Sequence, residues 1–570
     1  MRRLLAPCVS WILVLSVSWL SLSIAAAADP FDAVPDSASV VLRLKTPQAT
    51  LGRLADYVNV VQPGFGEAIR GNLPALGLLI SNPGLAGVDA EKDWWAIVFI
   101  EGRQKPGVVF VVPTTDAKAM KEALPSGWLL HEADKLAIYS EDEAALNKMK
   151  DRVSGKGASL WSKTDAASKK LFEASDVSAF VNLKQLSQAF ANELDQAEPS
   201  LDAFLAQISG LLPEQQRTQM AMVMDVYRSL GKAAVQGARD SNSLTMGVKF
   251  SKDTIRFEDR LQVAEGTKTA KFLSKQPTSD FSLLAQLPAD KSVYFGAKAD
   301  MQGMIDWSMK LTKSMLANGT DEQKAAFDQS AKDMRDLKWD QIVGYFDLDA
   351  NGEGALRGGT VSEVTPTDKL REITKVMMSV VGAMQLPGFK QTISMESTSA
   401  KIGGLPVDQM TLKQEVDEAA DPLGIQKKVM SVLHGPEGMK QFMLFQPKRS
   451  LQTVGGDVAQ LETLVKSLGA SPVKGSAPAI ARKSYAEKAN VIALADVARL
   501  LGNGIKIAAR EQVIPAAASD AIDNLKLQPS FMGGSITCEP TAVSAQFEIP
   551  AVQAQGIAKI VATIMMLRMQ

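Results

Sequence analysis

Short runs of alternating apolar and polar residues recur along this chain, and each run gives way to an amphipathic stripe. The segment VPDSASVVLRLKTPQATLGRLADYV, from Val34, reads as a strand followed by a helix with Leu51, Leu54, Ala55 and Val58 on one face. The segment LPADKSVYFGAKADMQGMIDWSMKL, from Leu287, repeats that pattern. At a constant spacing Pro35 meets Pro288, Ser39 meets Ser292, Val40 meets Val293 and Lys45 meets Lys298. The stripe Met304, Trp307, Ser308 and Leu311 answers the first one. Thr46-Pro47 in one copy and Asp300 in the other are suitable helix starts.

Four further segments recur in the same order. DWWAIVFIEGRQKPGVVFVVPTTDAKAMKEAL from Asp93 pairs with KWDQIVGYFDLDANGEGALRGGTVSEVTPTDKLREI from Lys338, each an aromatic-led hairpin before a helix. LAIYSEDEAALNKMKDRV from Leu136 pairs with LQTVGGDVAQLETLVKSL from Leu451. AFVNLKQLSQAFANEL from Ala179 pairs with NVIALADVARLLGNGI from Asn490, placing Leu186, Ala189, Phe190 and Leu194 opposite Val497, Leu500, Leu501 and Ile505. SLTMGVKFSKDTIRFEDRLQV from Ser243 pairs with SFMGGSITCEPTAVSAQFEIP from Ser530.

The pattern predicts an α+β fold of two pseudo-equivalent halves, each a largely antiparallel sheet with packed helices. The halves are expected at 29–276 and 277–570, with an insertion around 384–450 in the second. Leu194–Arg239 is expected to form two long helices broken near Leu212-Pro213.

Residues 1–28 have the pattern of an export signal. Arg2 and Arg3 precede an apolar stretch, Trp11–Ile24, and Ala26-Ala27-Ala28 supplies a small-residue cleavage site before Asp29. Cys8 precedes the apolar stretch, which leaves Cys538 alone after cleavage, so no internal disulfide is expected. No later stretch is long and apolar enough to span a bilayer. The expected location is therefore beyond the inner membrane, in the periplasm or outside the cell. With 62 basic and 63 acidic residues the chain is nearly neutral, which gives no overall electrostatic reason to bind nucleic acid.

Catalytic motifs are sparse. Asp347-Leu348-Asp349-Ala350-Asn351-Gly352 reproduces the opening of a calcium-binding EF-hand loop, but its twelfth position is Gly358 instead of a bidentate Glu. Asn351-Gly352 signals a tight hairpin, so a solvated hairpin tip is the preferred reading over an ion site between Asp347 and Asn351. His131 and His434 occupy non-equivalent positions, and neither accompanies a nucleophile elbow. Cys538 reads as a structural thiol. Glu141-Asp142-Glu143 and the acidic run Glu415–Asp421 read as solvated faces. Met220, Met222, Met224, Met377, Met378, Met565 and Met566 read as core filling, and Trp94, Trp95 and Trp339 as sheet anchors. No catalytic, cofactor-binding or metal-ligating residue is assigned, and no cofactor is expected.

At the five matched segments the chain resembles a broad, uncharacterised class of exported bacterial proteins, a domain of unknown function. Those proteins share a signal peptide, a "VP-D-S/A" strand opening and repeated strand-helix modules. That resemblance implies no activity and carries no functional residue over. The expectation is a non-enzymatic exported binding or scaffold protein whose partner is an envelope protein, peptide or apolar ligand. Alternatives are a carboxylate- or Ser/Lys-dependent envelope hydrolase and an envelope structural component.

Overall fold

Hairpins dominate the strand arrangement, as the paired runs of the sequence predict. The computed structural model describes residues 30–570 apart from 103–104, 212–213, 304, 306–308, 310–319, 383–388, 417–420, 422, 471–475 and 570. The expected signal, Cys8, the stripe residues Met304, Trp307, Ser308 and Leu311, and the Leu212-Pro213 break lie outside the described residues. In chain order the first copy contributes β1 (Val40–Leu44), β2 (Trp94–Phe99), β3 (Gly107–Pro113), β4 (Leu129–Ala133), β5 (Leu136–Ser140), β6 (Val177–Val181), β7 (Ser241–Phe250) and β8 (Thr254–Val263). The second contributes β9 (Val293–Ala297), β10 (Lys338–Leu348), β11 (Leu356–Thr365), β12 (Phe389–Ile402), β13 (Leu405–Val416), β14 (Met439–Gln446), β15 (Arg449–Val454), β16 (Val491–Ala495), β17 (Met532–Glu539) and β18 (Ala542–Pro550).

The chain divides into two compact units. One comprises Met1–Pro199, Ala233–Ser274 and Glu539–Gln555; the other comprises Ser200–Lys232, Lys275–Cys538 and Gly556–Gln570. In the first unit the strand orders are β1-β6-β7-β8-β18 and β2-β3-β5-β4. In the second the order is β17-β16-β9-β10-β11-β15-β14-β13-β12. The fold is α+β, and the two copies use the same order: β7-β6-β1 is answered by β17-β16-β9, and β2-β3-β5-β4 by β10-β11-β15-β14. Ladders in both copies are antiparallel.

The copies agree down to single hydrogen bonds. Lys45 N–H donates to the Asp176 carbonyl at 2.7 Å, and Lys298 N–H to the Asn490 carbonyl at 2.7 Å. Asn182 N–H donates to the Ser39 carbonyl at 2.8 Å, and Asp496 N–H to the Ser292 carbonyl at 2.7 Å. Asn182 and Asp496 then cap the helices that follow, accepting from Gln185 N at 3.1 Å and from Arg499 N at 3.0 Å. The Asp176 carboxylate accepts from Phe250 N at 2.7 Å, and the Asn490 amide oxygen from Cys538 N at 2.6 Å.

These caps correct the helix alignment read from sequence. Asn182 matches Asp496, so Leu186 meets Leu500 instead of Val497, a slide of nearly one turn. An apolar stripe repeats every three or four residues, so such a slide keeps apolar positions opposite apolar positions. The copies also differ. β9 ladders with β10 over five residue pairs, whereas β1 is tied to β2 through Ser39 N and the Val98 carbonyl, 2.9 Å apart. Strands β12 and β13 and the helix Ile425–His434 have no counterpart in the first copy, while β14 corresponds to β4.

Each unit has its own apolar core. In the first, Phe31 packs against Trp161, Phe172 and Trp95, with ring centroids 4.1, 4.8 and 5.7 Å apart. Trp94 is fully buried and donates from Nε1 to the Asp89 carbonyl at 2.8 Å. In the second, Tyr294, Tyr345, Phe281 and Leu494 pack with the helices Val458–Gly469 and Ala477–Arg482. The arm expected at Leu194–Arg239 forms the helices Ala191–Leu211 and Glu214–Asp240. Among the described residues no helix is long and apolar enough to cross a membrane.

Candidate functional site

The helix Val497–Arg510 carries small and apolar residues on one side, with Ala498, Gly502, Ile507 and Ala509 buried. Arg499, Asn503, Lys506 and Arg510 recur at steps of four, three and four, which places them on a single polar stripe. This stripe forms one wall of a cleft of about 900 Å³. The end of β10 and the β10–β11 loop form a second wall with Asp347, Asp349 and Asn351. Arg357 from β11 and Lys291, just before β9, add two more cations. Asp520 and Asp523 of the helix Ala517–Asn524 also line it.

Contacts within the cleft hold the loop and the helix stripe together. Arg499 Nη2 lies 3.4 Å from Asp347 Oδ2. Asp347 also accepts from the Ser292 hydroxyl and, at 2.9 Å, from Leu348 N. Arg357 Nη2 lies 3.2 Å from Asp349 Oδ2, and Asp349 accepts from Asn351 N and Gly352 N at 3.0 Å each. Asn503 donates to the Leu348 carbonyl at 2.8 Å, and Arg510 Nη1 to the carbonyls of Ala350 and Gly352 at 2.9 and 2.8 Å. Lys506 pairs with Asp523. Lys291 sits over the Tyr345 ring, 5.9 Å from its centroid. Burial raises the Tyr345 phenol, and the Gln460 side chain partly offsets this.

Charge is graded from inside to outside. The five cations have side chains 16–36% exposed, whereas Asp523 is 62% exposed and Asp520 is exposed. Arg510 pairs with Glu511 at 3.0 Å, and the other four cations face Asp347 and Asp349 on the inner side. Two smaller cavities, of about 430 and 380 Å³, adjoin the same loop. Gly435, Gly438, Gly455 and Gly456 line the first of these, all at positive φ, where a side chain would be strained. Among the described residues the lining of the three cavities includes no Phe, Tyr or Trp.

The EF-hand-like turn is the one sequence motif that falls in this site, and it is built differently from either reading. Leu348 pairs with Leu356, so the β10–β11 loop has seven residues, 349–355, instead of closing tightly at Asn351-Gly352. The loop is not simply solvated, because its carbonyls and carboxylates are bound by Arg357, Asn503 and Arg510. Asp347 and Asp349 are engaged by arginines and backbone amides, and among the described residues no group of three or more His, Cys, Asp or Glu is placed to hold a metal ion.

Other sequence candidates are dispersed. His131 lies on β4 in the first unit, and His434 ends the helix Ile425–His434 and lines the 430 Å³ cavity, where burial lowers its pKa. Burial raises the Cys538 thiol, which is half-buried. Asp142 caps the helix Glu143–Val153 by accepting from Ala145 N, and Glu141 pairs with Lys105 at 2.5 Å. Asp421 accepts from Lys427 N, and 417–420 lie outside the described residues. Met224 is buried, Met377 packs beside Trp339, and Met565 and Met566 are exposed. The side chains of Met220 and Met222 lie outside the described set.

The cationic residues were missed at sequence level. Their one legible signal is the R-x3-N-x2-K-x3-R spacing after Asp496; Lys291 and Arg357 join it only through the fold. Compared with protein-family models, curated proteins and solved structures, the chain matches none.

Proposed function

We propose that this chain is an exported, non-enzymatic binding protein that takes a polar ligand in the cleft between the Val497–Arg510 helix and the β10–β11 loop. The observation that carries the reading is the convergence of Lys291, Arg357, Arg499, Lys506 and Arg510 on one cleft of about 900 Å³, within the size range of small-molecule sites. The copies supply a control. Where the second copy has Lys291 and Arg499, the first has Ala38 and Gln185 in the same strand and helix geometry. The shared fold therefore does not require the charges, which is what a binding role added to one copy would leave. Export rests on the 1–28 pattern and on the resemblance to exported bacterial proteins.

The hydrolase alternative has less support. The carboxyls that burial raises are Asp93, beside Arg43, and Asp259, and neither lines the cleft. A thermal-shift panel tests the binding reading. It should span neutral sugars, amino acids, dipeptides, organic acids and phosphate esters, on wild type and on Arg499→Gln/Lys506→Gln. A compound that stabilises wild type and not the double variant supports it; a flat response across every class sinks it.

A further inference from the structure

The cleft's lining points beyond polarity to a ligand class. We infer that the ligand is an oxyanion carrying two or more negative charges, held chiefly by Arg499, Lys506 and Lys291; this rests on the cleft being the binding site. Three observations combine. Arg510 is balanced by Glu511, and the remaining four cations face Asp347 and Asp349, whereas Asp523 and Asp520 stand outward, so the interior has a surplus of two positive charges that a multivalent anion would neutralise. A singly charged or dipolar molecule would leave most of that surplus unmatched in a partly desolvated space, where like charges repel more strongly than in water.

The cations also differ in how far their donors are committed. Arg357 and Arg510 spend donors on the loop carbonyls Gly354, Leu356, Ala350 and Gly352. Arg499 makes one 3.4 Å contact with Asp347, a carboxylate that Ser292 and Leu348 N also hold. Its planar guanidinium therefore has donor edges to offer an oxyanion bidentately. Lys506 is paired to the outward-facing Asp523, a partner that solvent screens, and Lys291 to Asp290, which is 72% exposed. Finally, among the described residues the 900 Å³ cleft is lined by no aromatic ring on which a sugar or base would stack, so the anionic group must supply the recognition.

Isothermal titration of the full mature chain tests this. Inorganic phosphate and citrate are the oxyanion probes, because they separate phosphoryl from polycarboxylate chemistry; acetate, glycine and glucose are the comparison set. The expected result is saturable binding of phosphate or citrate, weakened as salt rises, and weakened at least about tenfold in Arg499→Gln. Lys506→Gln, on a side chain that pairs with Asp523 at the cleft edge, gives the same loss in a second background, and circular dichroism checks that both variants fold. Binding of glucose, glycine or acetate with no response to phosphate or citrate overturns the ligand class and leaves the binding reading standing. No binding by any probe, together with a flat thermal-shift panel, removes both.

Discussion

Arg499 and Asp347 face one another across the cleft at 3.4 Å, and the two residues have unequal stakes in the contact. Asp347 is 11% exposed at its side chain and keeps the Ser292 hydroxyl and the Leu348 amide without Arg499. Arg499→Gln should therefore cost less than about 1 kcal/mol in urea unfolding, the ordinary worth of a partly exposed ion pair. Asp347→Ala should cost more, roughly 1–3 kcal/mol, because it strands the fully buried Ser292 hydroxyl. Equal losses in the two variants would contradict this division of roles.

A second pair, Arg371 and Asp408, should behave in the opposite way. Arg371 Nε and Nη2 each reach an Asp408 oxygen at 2.6 Å, Thr398 N adds a bond at 3.1 Å, and Asp408 is fully buried. Burial pushes the Asp408 carboxyl up, but Arg371 and Thr398 outweigh it and hold the group below its ordinary 3.8. The wild-type contribution is thus present above that value and lost as pH falls through the lowered one. Arg371→Leu leaves the buried carboxylate uncompensated and should cost about 3 kcal/mol at neutral pH. In that variant burial is opposed chiefly by the Thr398 amide and the carboxyl rises, so the lost stability should partly return as pH falls. Denaturant midpoints from neutral to acid pH would show the inversion.

His434 predicts a separate acid dependence. Burial lowers its pKa below the ordinary 6.5, so the unfolded chain binds the proton more readily than the folded one. Its contribution is complete above 6.5 and falls as pH drops through the lowered folded value. His434→Gln should remove that part of the decline. A wild-type and a variant profile that remain parallel between neutral and mildly acid pH would show that another group governs the slope.

The α+β fold and the two pseudo-equivalent, largely antiparallel halves were legible because each repeated segment keeps both its strand period and the turn that follows; the order of strands within the sheets was not. Lys45 and Lys298 mark a place where the backbone makes the same bond in each copy. The exact helix register was not legible, because an amphipathic stripe tolerates a slide of one turn, and only the cap contacts of Asn182 and Asp496 fix it. The cleft was largely hidden for another reason. Its cations come from the turn before β9, from β11 and from the Val497–Arg510 helix, and no local spacing announces that these meet. The Asp347–Gly352 motif drew attention to the right loop through the wrong chemistry: its carboxylates are bound by Arg499 and Arg357.

The duplicated caps give a last prediction that concerns the architecture directly. Asn182 and Asp496 each tie a helix start to the serine just before a strand through the backbone and accept an amide from the first turn through the side chain. Removing a cap of this kind costs about 1 kcal/mol, up to about 2. Asn182→Ala should fall in that range, with the added loss of its donations to the Asp36 and Ala38 carbonyls at 3.2 Å each. Asp496→Ala should also fall there, with the added loss of its contact to Ser530 N at 3.4 Å. Because the residues belong to separate units with no shared partner, the double variant should show the sum of the two losses. Urea unfolding of the three variants measures this. A normal loss at one site and none at the other would mean that only one copy still depends on its cap, despite the matched hydrogen bonds.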